Sequence, residues 1–340
     1  MPVISRITGY LFGAFTSLAA TLTPCAAEPF YQGKNISMVI GYNPGGGYDI
    51  YARIVGAAFA RHIPGKPTIV PRNMPGAGSV VAANFLYTAA PKDGLTIGVI
   101  GQQLSLDQAL GETSVRFDMR KFNWLGRAAM NVEVSLVWHT APVQTLADAL
   151  KTQVTLAATS GGSTSHTMPL LVSRITGAKF KLVTGYPGIT GGALAMERGE
   201  TQGTHATVDG LLFANANWMK QHIVSVLVQY SIKRHPSLPD VPAMAELGNT
   251  EQEKQILTLF ASPAEIGRSM MMPPGVPAER VEILRHAFSS MLADPAFKQE
   301  LLSKKLTFEP LDGAGLQKLI DTALSVSPEL IAKAKAMIKD

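Results

Sequence analysis

The sequence is poor in cysteine, in clustered charge and in long apolar runs. Its 340 residues contain one cysteine, Cys25, so no disulfide bond within the chain stabilises the fold. The 30 Lys and Arg residues are scattered singly or in pairs, without the interleaved aromatic residues of a nucleic-acid surface. After residue 27 no run of 18 apolar residues occurs. We therefore expect a soluble protein that has no nucleic-acid partner.

Nucleotide and metal motifs are also missing. The glycines at 45–47 are followed by Tyr48, where a phosphate-binding P-loop requires Gly-Lys-Ser/Thr. Three consecutive glycines also depart from the G-x-G-x-x-G pattern of dinucleotide-binding folds. No His, Asp and Glu cluster has the spacing of a metal site such as H-E-x-x-H. We expect neither a cofactor nor a metal ion.

The first 27 residues are typical of a secretory signal peptide. A short positive start precedes an apolar stretch at 7–22 and small residues that end at Ala27, where we predict cleavage. A lipoprotein anchored at Cys25 is the alternative, but Pro24 fits a lipidation motif poorly.

The most informative segment is residues 36–54. It predicts a buried strand at 36–40, a glycine turn at 44–47 and then a helix with apolar residues at helical spacing. Such a turn directs free backbone N–H groups and the positive end of the helix dipole to one point. We interpret it as an anion site for one end of a carboxylate. Alternatively, the glycines only permit a tight turn with positive φ.

The same unit of strand, glycine turn and helix recurs three times. Strands are predicted at 68–70, 154–158 and 180–184, and their turns lie at 75–79, 159–166 and 185–192. Further strands are predicted at 95–100 and 223–229.

This arrangement predicts an α/β fold of two lobes, with two parallel-rich sheets flanked by helices. We expect lobe 1 to contain residues 28–125 and 254–340, and lobe 2 to contain residues 126–253. Two crossing strands would join the lobes, one within 124–138 and one at 256–260, and the C-terminal helices would pack on lobe 1. Because ligands of parallel sheets bind beyond the carboxyl ends of the strands, all four turns would face one cleft. Their neutral donors suit reversible carboxylate capture with hinge closure better than catalysis.

Six short motifs occur along the chain. They are Pro-Gly-Gly-Gly-x-Asp at 44–49, Asn-x-Pro-Gly-Ala-Gly at 73–78, Ala-Pro-Lys-Asp-Gly at 90–94, Tyr-x-Gly at 186–188, Pro-Ser-Leu-Pro-Asp-Val-Pro at 236–242 and Pro-Pro-Gly-Val-Pro at 273–277. As a set they resemble the periplasmic solute-binding proteins of tripartite tricarboxylate transporters, the Bug family. The resemblance implies a monomer with a two-lobed, type II-like periplasmic-binding-protein fold. Such a protein captures a mono-, di- or tricarboxylate and delivers it to the large and small subunits of a membrane permease.

The resemblance also implies which loops bind the ligand. The first loop (residues 43–49) and the second loop (75–79) would hold one carboxylate, and the third loop (160–166) and the fourth loop (186–188) would complete the site. The expected ligand-binding residues are Asn43, Gly45, Gly46, Gly47, Tyr48, Asp49, Gly76, Ala77, Gly78, Ser79, Ser160, Gly162, Ser163, Thr164, His166, Tyr186, Gly188 and His205. Tyr48 stands where many members have a small hydroxyl residue, so it would narrow the pocket or offer a ring to the ligand. Residues 201–206 depart from the family pattern, which leaves the contacts of that segment open.

Several of these residues also have simpler interpretations. Asp49 lies in the first helical turn, where an acid stabilises the helix start. Ser163 and Thr164 are candidates for helix capping, and His205 for filling space. Ser163 and His166 lack a third, orienting acid and the G-x-S-x-G elbow of a hydrolase, so we do not expect an enzyme. A ligand sensor for a membrane kinase, or less readily a hydrolase of small organic acids, are the alternative functions.

Overall fold

The computed structural model describes residues 29–339, so Cys25 and the predicted cleavage site lie outside the described residues. The strands are β1 (Asn35–Ile40), β2 (Thr68–Asn73), β3 (Thr96–Val99), β4 (Asn123–Arg127), β5 (Glu133–Trp138), β6 (Val154–Ala157), β7 (Phe180–Val183), β8 (Gly203–Thr207), β9 (Val224–Tyr230), β10 (Ser269–Met272) and β11 (Leu311–Asp312). The helices are α1 (Gly47–His62), α2 (Val80–Thr88), α3 (Leu104–Ala109), α4 (Leu146–Ala149), α5 (Thr164–Thr176), α6 (Gly188–Glu197), α7 (Ala216–Lys220), α8 (Glu251–Ile266), α9 (Ala278–Ala293), α10 (Pro295–Ser303), α11 (Gly313–Ala323) and α12 (Pro328–Ile338). Within residues 29–339, no helix is both long and apolar enough to cross a membrane.

Two mixed sheets organise the chain. The first has the order β11-β4-β10-β3-β1-β2, in which β2, β1 and β3 are parallel and β10 runs against β3 and β4. The second has the order β7-β6-β8-β5-β9, in which β7, β6 and β8 are parallel and β5 is antiparallel to β8 and β9. The predicted α/β fold with two sheets flanked by helices is confirmed.

Alternating side chains of β1 pack against helices on both faces of the first sheet. Ile36, Met38 and Ile40 share an apolar cluster with α1 and α9. Val39 points the other way, into a cluster formed with α2 and α11. Because helices cover both faces of the sheet, β1 is a nearly continuous apolar run, as is typical of a buried parallel strand.

The structure differs from the sequence-based expectation at three places. Residues 256–260 do not form a crossing strand; they lie inside α8, because a five-residue apolar run fits a buried helix as well as a strand. Strands β8 and β10 were not predicted, since neither has the alternation of a half-buried strand. Helix α12 packs not only on the first lobe, where Leu330 and Ala334 share an apolar cluster with Leu106 of α3 and with Leu110 directly after it, but also on α5 beside the second sheet. The Arg174 side chain of α5 donates to the backbone oxygens of Met337 and Lys339, at 2.7 and 2.8 Å.

Candidate ligand-binding site

Loops of both lobes line one cavity of about 330 Å³. Ala77 and Val80 contribute to it from the end of the second loop, and Gly162 and Thr164 from the third. Asp107 of α3 and Phe260 of α8 also line it. The second and third loops therefore face each other across a space large enough for a small organic molecule.

The first and fourth loops lie close to the second and third loops. Gly185 and Tyr186, at the start of the fourth loop, donate backbone hydrogen bonds to Thr159 and Ala158 beside the third loop, at 3.1 and 3.3 Å. A side chain at Gly101 would meet the Tyr42 hydroxyl and the Gly78 oxygen, so the segments after β1, β2 and β3 also meet closely. Neither the first loop nor the fourth loop lines the 330 Å³ cavity in the part of the chain that the structure describes.

Asp49 shapes the first loop from within. Its carboxylate accepts from the Gly45 N–H (2.9 Å), from Asn73 Nδ2 (2.8 Å) and from Arg53 Nε (2.9 Å), and its side chain is buried. Arg53, with help from Asn73 and Gly45, lowers the pKa of Asp49 to about 2. Both oxygens and the Gly45 N–H are thus engaged inside the protein. This geometry favours the structural interpretation of Asp49 over ligand contact.

Helix α1 leaves donors at its start. Its first helical bond runs from the Ile50 N–H to the Gly46 oxygen, at 2.9 Å. The N–H groups of Gly47, Tyr48 and Asp49 precede that bond and have no acceptor within the helix, as is general for the first turn. Together with the helix dipole they favour an anion at this end of α1.

The second loop has an unusual backbone. Four consecutive residues have positive φ: Gly76 (144°), Ala77 (44°), Gly78 (61°) and Ser79 (85°). For Ala77 and Ser79 this costs about 1–3 kcal/mol each. The loop rests on Gly41, where an added Cβ would lie 1.7 Å from Ser79 Oγ. Such strain is typical of backbone held in place for a function.

Hydroxyl groups organise the third loop. Ser163 donates to the Ser160 oxygen at 2.7 Å, and the buried Ser165 hydroxyl accepts from the Thr159 N–H at 3.0 Å. Between Ser163 and the His166 ring no hydrogen bond is present in the described chain. Ser163 occupies the N-cap position of α5 without a side-chain capping bond, so the predicted capping role is not seen, and the third loop offers no paired nucleophile and base.

Two aromatic rings stack at the carboxyl end of β1 in the first lobe. The rings of Tyr42 and Tyr48 stack, with centroids 4.3 Å apart and an interplanar angle of 20°. The Tyr48 hydroxyl accepts from the Gln102 N–H at 3.2 Å, and burial raises its pKa to about 12. Tyr48 is therefore held in place by the Gln102 N–H and by the Tyr42 ring, and whether its ring narrows the ligand pocket stays a prediction.

A network of polar side chains joins the two lobes near the connection between β4 and β5. Arg268, just before β10, pairs with Asp209, which follows β8, and donates to Asn131 Oδ1 at 2.9 Å. Gln102 Nε2 donates to the Asn131 backbone oxygen at 3.0 Å. These contacts tie both sheets to the segment that joins β4 to β5.

Two half-buried carboxyl groups, those of Glu133 and Asp107, were not predicted as site residues from the sequence. Burial raises the pKa of Glu133 to about 7, with Arg268 opposing the shift, and raises the pKa of Asp107 to about 6. His205, on β8, is 7% exposed, and burial lowers its pKa to about 4, so it is neutral at physiological pH. The alternation of residues 132–136 is the sequence signal that places Glu133 on the face opposite to its apolar neighbours.

Known proteins share this architecture. The sequence profile of the family TctC, described as the tripartite tricarboxylate transporter family receptor, matches residues 52–336. A relative in Cupriavidus necator, named "UPF0065 protein in gbd 5'region", is 27% identical over 319 residues, covering 87% of this chain and 85% of its own.

Two solved structures are similar in fold. The periplasmic binding protein BugD has a TM-score of 0.65 at 20% identity, over 90% of this chain and 98% of its own. MatC from Rhodopseudomonas palustris, solved with bound malate, has a TM-score of 0.60 at 21% identity, over 90% of this chain and 99% of its own.

Proposed function

The chain belongs to the tripartite tricarboxylate transporter receptor family, as its motifs suggested, and we propose that it captures a small carboxylate-bearing solute in the cleft between its lobes and delivers it to the membrane permease of such a transporter. The observation that carries this proposal is the meeting of the strained second loop and the hydroxyl-rich third loop at one cavity. The amides at the start of α1 lie at the same edge of the first sheet as the second loop, because β1 and β2 are parallel neighbours. The malate bound to MatC supports a carboxylate as the ligand class.

The remaining parts of the proposal follow from the family. We propose that residues 1–27 direct the chain to the periplasm and are removed, and that the mature protein is a monomer built from lobes of residues 28–125 with 254–340 and of residues 126–253. The ligand contacts would come from the residues predicted in the four loops, with Asp49 acting on the loop itself. The hydrolase alternative has less support, because Ser163 and His166 are not hydrogen bonded to each other.

A thermal-shift screen of mono-, di- and tricarboxylates against residues 28–340 tests the binding step. A true ligand at 100 times its Kd adds about 2.7 kcal/mol of apparent stability. Carboxylates that leave the unfolding temperature unchanged at millimolar concentration would reject the proposal. Chemical turnover of the bound acid would instead favour the hydrolase.

Deleting the gene separates transport from sensing. The transport function predicts that cells lose uptake of the acid found in the screen. Retained uptake together with a lost transcriptional response would favour the sensor for a membrane kinase.

A further inference from the structure

The chain crosses between the two sheets twice. It passes from β4 to β5 through residues 128–132, and it returns between β9 and β10 through residues 231–268. Any rotation of one sheet relative to the other must be absorbed in these connections, because hinges lie in the few residues that join two packed bodies. A contact that ties the two connections together therefore restricts how the sheets can turn.

One carboxyl group contacts both connections. Glu309 precedes β11 of the first sheet, and its Oε2 accepts from the Met130 N–H of the first connection at 3.1 Å. Its Oε1 lies 3.2 Å from Nε2 of His235, which belongs to the return connection. The Glu309 N–H also donates to the Ala128 oxygen at 2.9 Å, so the backbone of Glu309 is fixed beside the first connection.

The hydrogen bonds of His235 determine which ring nitrogen carries the proton. The Ser237 N–H donates to His235 Nδ1 at 3.1 Å, so the ring is neutral with its proton on Nε2, which donates to Glu309. His235 is 6% exposed, and the space that it lines together with Glu309 and Met130 measures about 10 Å³. Such a space holds no more than about one water molecule, so this charge-assisted bond is shielded from solvent.

The motif at 236–242 holds His235 in this position. The buried Gln229 side chain donates to the backbone oxygens of Leu238 and Val241, at 3.0 and 2.7 Å, and accepts from the His235 N–H at 2.6 Å. The Gln229 N–H donates to the Pro242 oxygen at 3.1 Å. The return connection is thus a braced loop that presents the His235 ring to Glu309.

We propose that Glu309 is a positioning residue, which together with His235 ties the two connections and holds the sheets in the orientation where the second and third loops line one cavity. The effect on ligand capture rests on the proposed function, whereas the effect on the orientation of the sheets does not. A larger fraction of molecules in the binding orientation lowers the apparent Kd in proportion.

Distances between two spin labels, measured by electron paramagnetic resonance without any ligand, test the orientation of the sheets. Residues 28–340 contain no cysteine, so labels can be attached at Ala57→Cys on α1 and Glu197→Cys on α6, both exposed positions. The otherwise unchanged protein should give one narrow distance distribution. His235→Phe keeps an aromatic ring and removes its hydrogen bonds, so it should broaden this distribution or add a second maximum.

A second histidine–carboxylate pair provides the matched control. His62 Nε2 also lies 3.2 Å from a carboxylate oxygen, that of Asp294, but α1 and α10, the helices at which these residues lie, both pack in the core of the first sheet. His62→Phe should therefore leave the distance distribution unchanged. Glu309→Gln keeps one acceptor oxygen for two donors, so it tests the other partner and decides the question if His235→Phe does not fold.

Calorimetry tests the effect on capture. The probe is the acid that gives the largest shift in the thermal-shift screen. Its affinity should fall about threefold or more in His235→Phe and in Glu309→Gln, because a smaller fraction of each variant is in the binding orientation. Its affinity for His62→Phe should equal that for the wild-type protein.

The outcomes separate this inference from the proposed function. Unchanged distances in both His235→Phe and Glu309→Gln, or an equal change in His62→Phe, would overturn the positioning role of Glu309. Unchanged or tighter binding in the two variants would overturn its contribution to capture. If no acid binds the wild-type protein, carboxylate capture fails, and the distances still decide the role of Glu309.

Discussion

The two lobes hold their candidate ligand loops by different means. In lobe 1 the loops are fixed by a buried carboxylate, Asp49, and by a run of left-handed residues at 76–79 that rests on Gly41. In lobe 2 the third loop is held by neutral hydroxyl bonds of Ser163 and Ser165. The first lobe is therefore the preorganised half of the site. The second lobe can adjust at a lower energetic cost, as expected for the half that closes on a ligand.

The largest effect should come from two loop glycines with positive φ, one in each lobe. Gly76→Ala places a Cβ 2.7 Å from Val81 Cγ2 at a φ of 144°, which we expect to cost about 1–3 kcal/mol and most of the ligand affinity. Gly162→Ala has a φ of 79° and no atom within 4 Å, so it should cost about 1 kcal/mol and little affinity. Denaturant unfolding and calorimetry measure both quantities. If Gly162→Ala loses more ligand affinity than Gly76→Ala, the second lobe and not the first is the preorganised half.

The next effect concerns the side chains that hold each loop. Asp49→Asn replaces an acceptor of the Gly45 N–H and weakens the pair with Arg53, so unfolding should become easier by about 1–3 kcal/mol. Ser165→Ala removes the acceptor of the Thr159 N–H and should cost about 1 kcal/mol.

These two variants should also differ in their dependence on pH. Because the folded protein depresses the pKa of Asp49 from 3.8 to about 2, its contribution is complete above pH 4 and is lost as the pH falls through about 2. The stability gap between wild type and Asp49→Asn should therefore shrink in acid, and the gap for Ser165→Ala should not. If both differences in unfolding free energy, for Asp49→Asn and for Ser165→Ala, stay constant over this pH range, then Asp49 does not hold the loop through its charge.

The smallest effect should come from Gly47→Ala. A Cβ at Gly47 meets nothing within 4 Å, and alanine favours the first turn of α1, so stability should rise by about 0.5 kcal/mol with affinity unchanged. Gly191→Ala, in α6 of lobe 2, is the matched contrast, because its Cβ would lie 2.6 Å from Pro187 Cδ and should destabilise. Loss of ligand binding in Gly47→Ala would mean that the ligand contacts the Cα as well as the amide.

Much of the fold could be predicted because its units carry local signals. An apolar run followed by glycines and a helical pattern marks β1 with α1, β6 with α5, and β7 with α6. Strand β10 could not be predicted in this way, since Met270, Met271 and Met272 show no alternation and lie between two strands from distant parts of the chain. Pairing over such sequence separations leaves no local signal.

The candidate site was predictable only where backbone donors define it. The glycines of the four loops could be found because turns before helix starts have a recognisable composition. Glu133 could not, since Val-Glu-Val is also the pattern of an ordinary half-exposed strand, and the burial that raises its pKa arises only in the packed protein. Arg268 and Asn131 were missed for the same reason.

The packing of α12 against α5 affects where the protein can be immobilised or labelled. Arg174 grips the backbone oxygens of Met337 and Lys339, so a surface tether or bulky fusion placed after residue 340 would pull directly on the helix that begins at the third loop. Attachment on the amino-terminal side of Pro29, remote from α5 in sequence, avoids that load. Biosensor measurements made with the two attachment points would then report different dissociation rates for the same molecule.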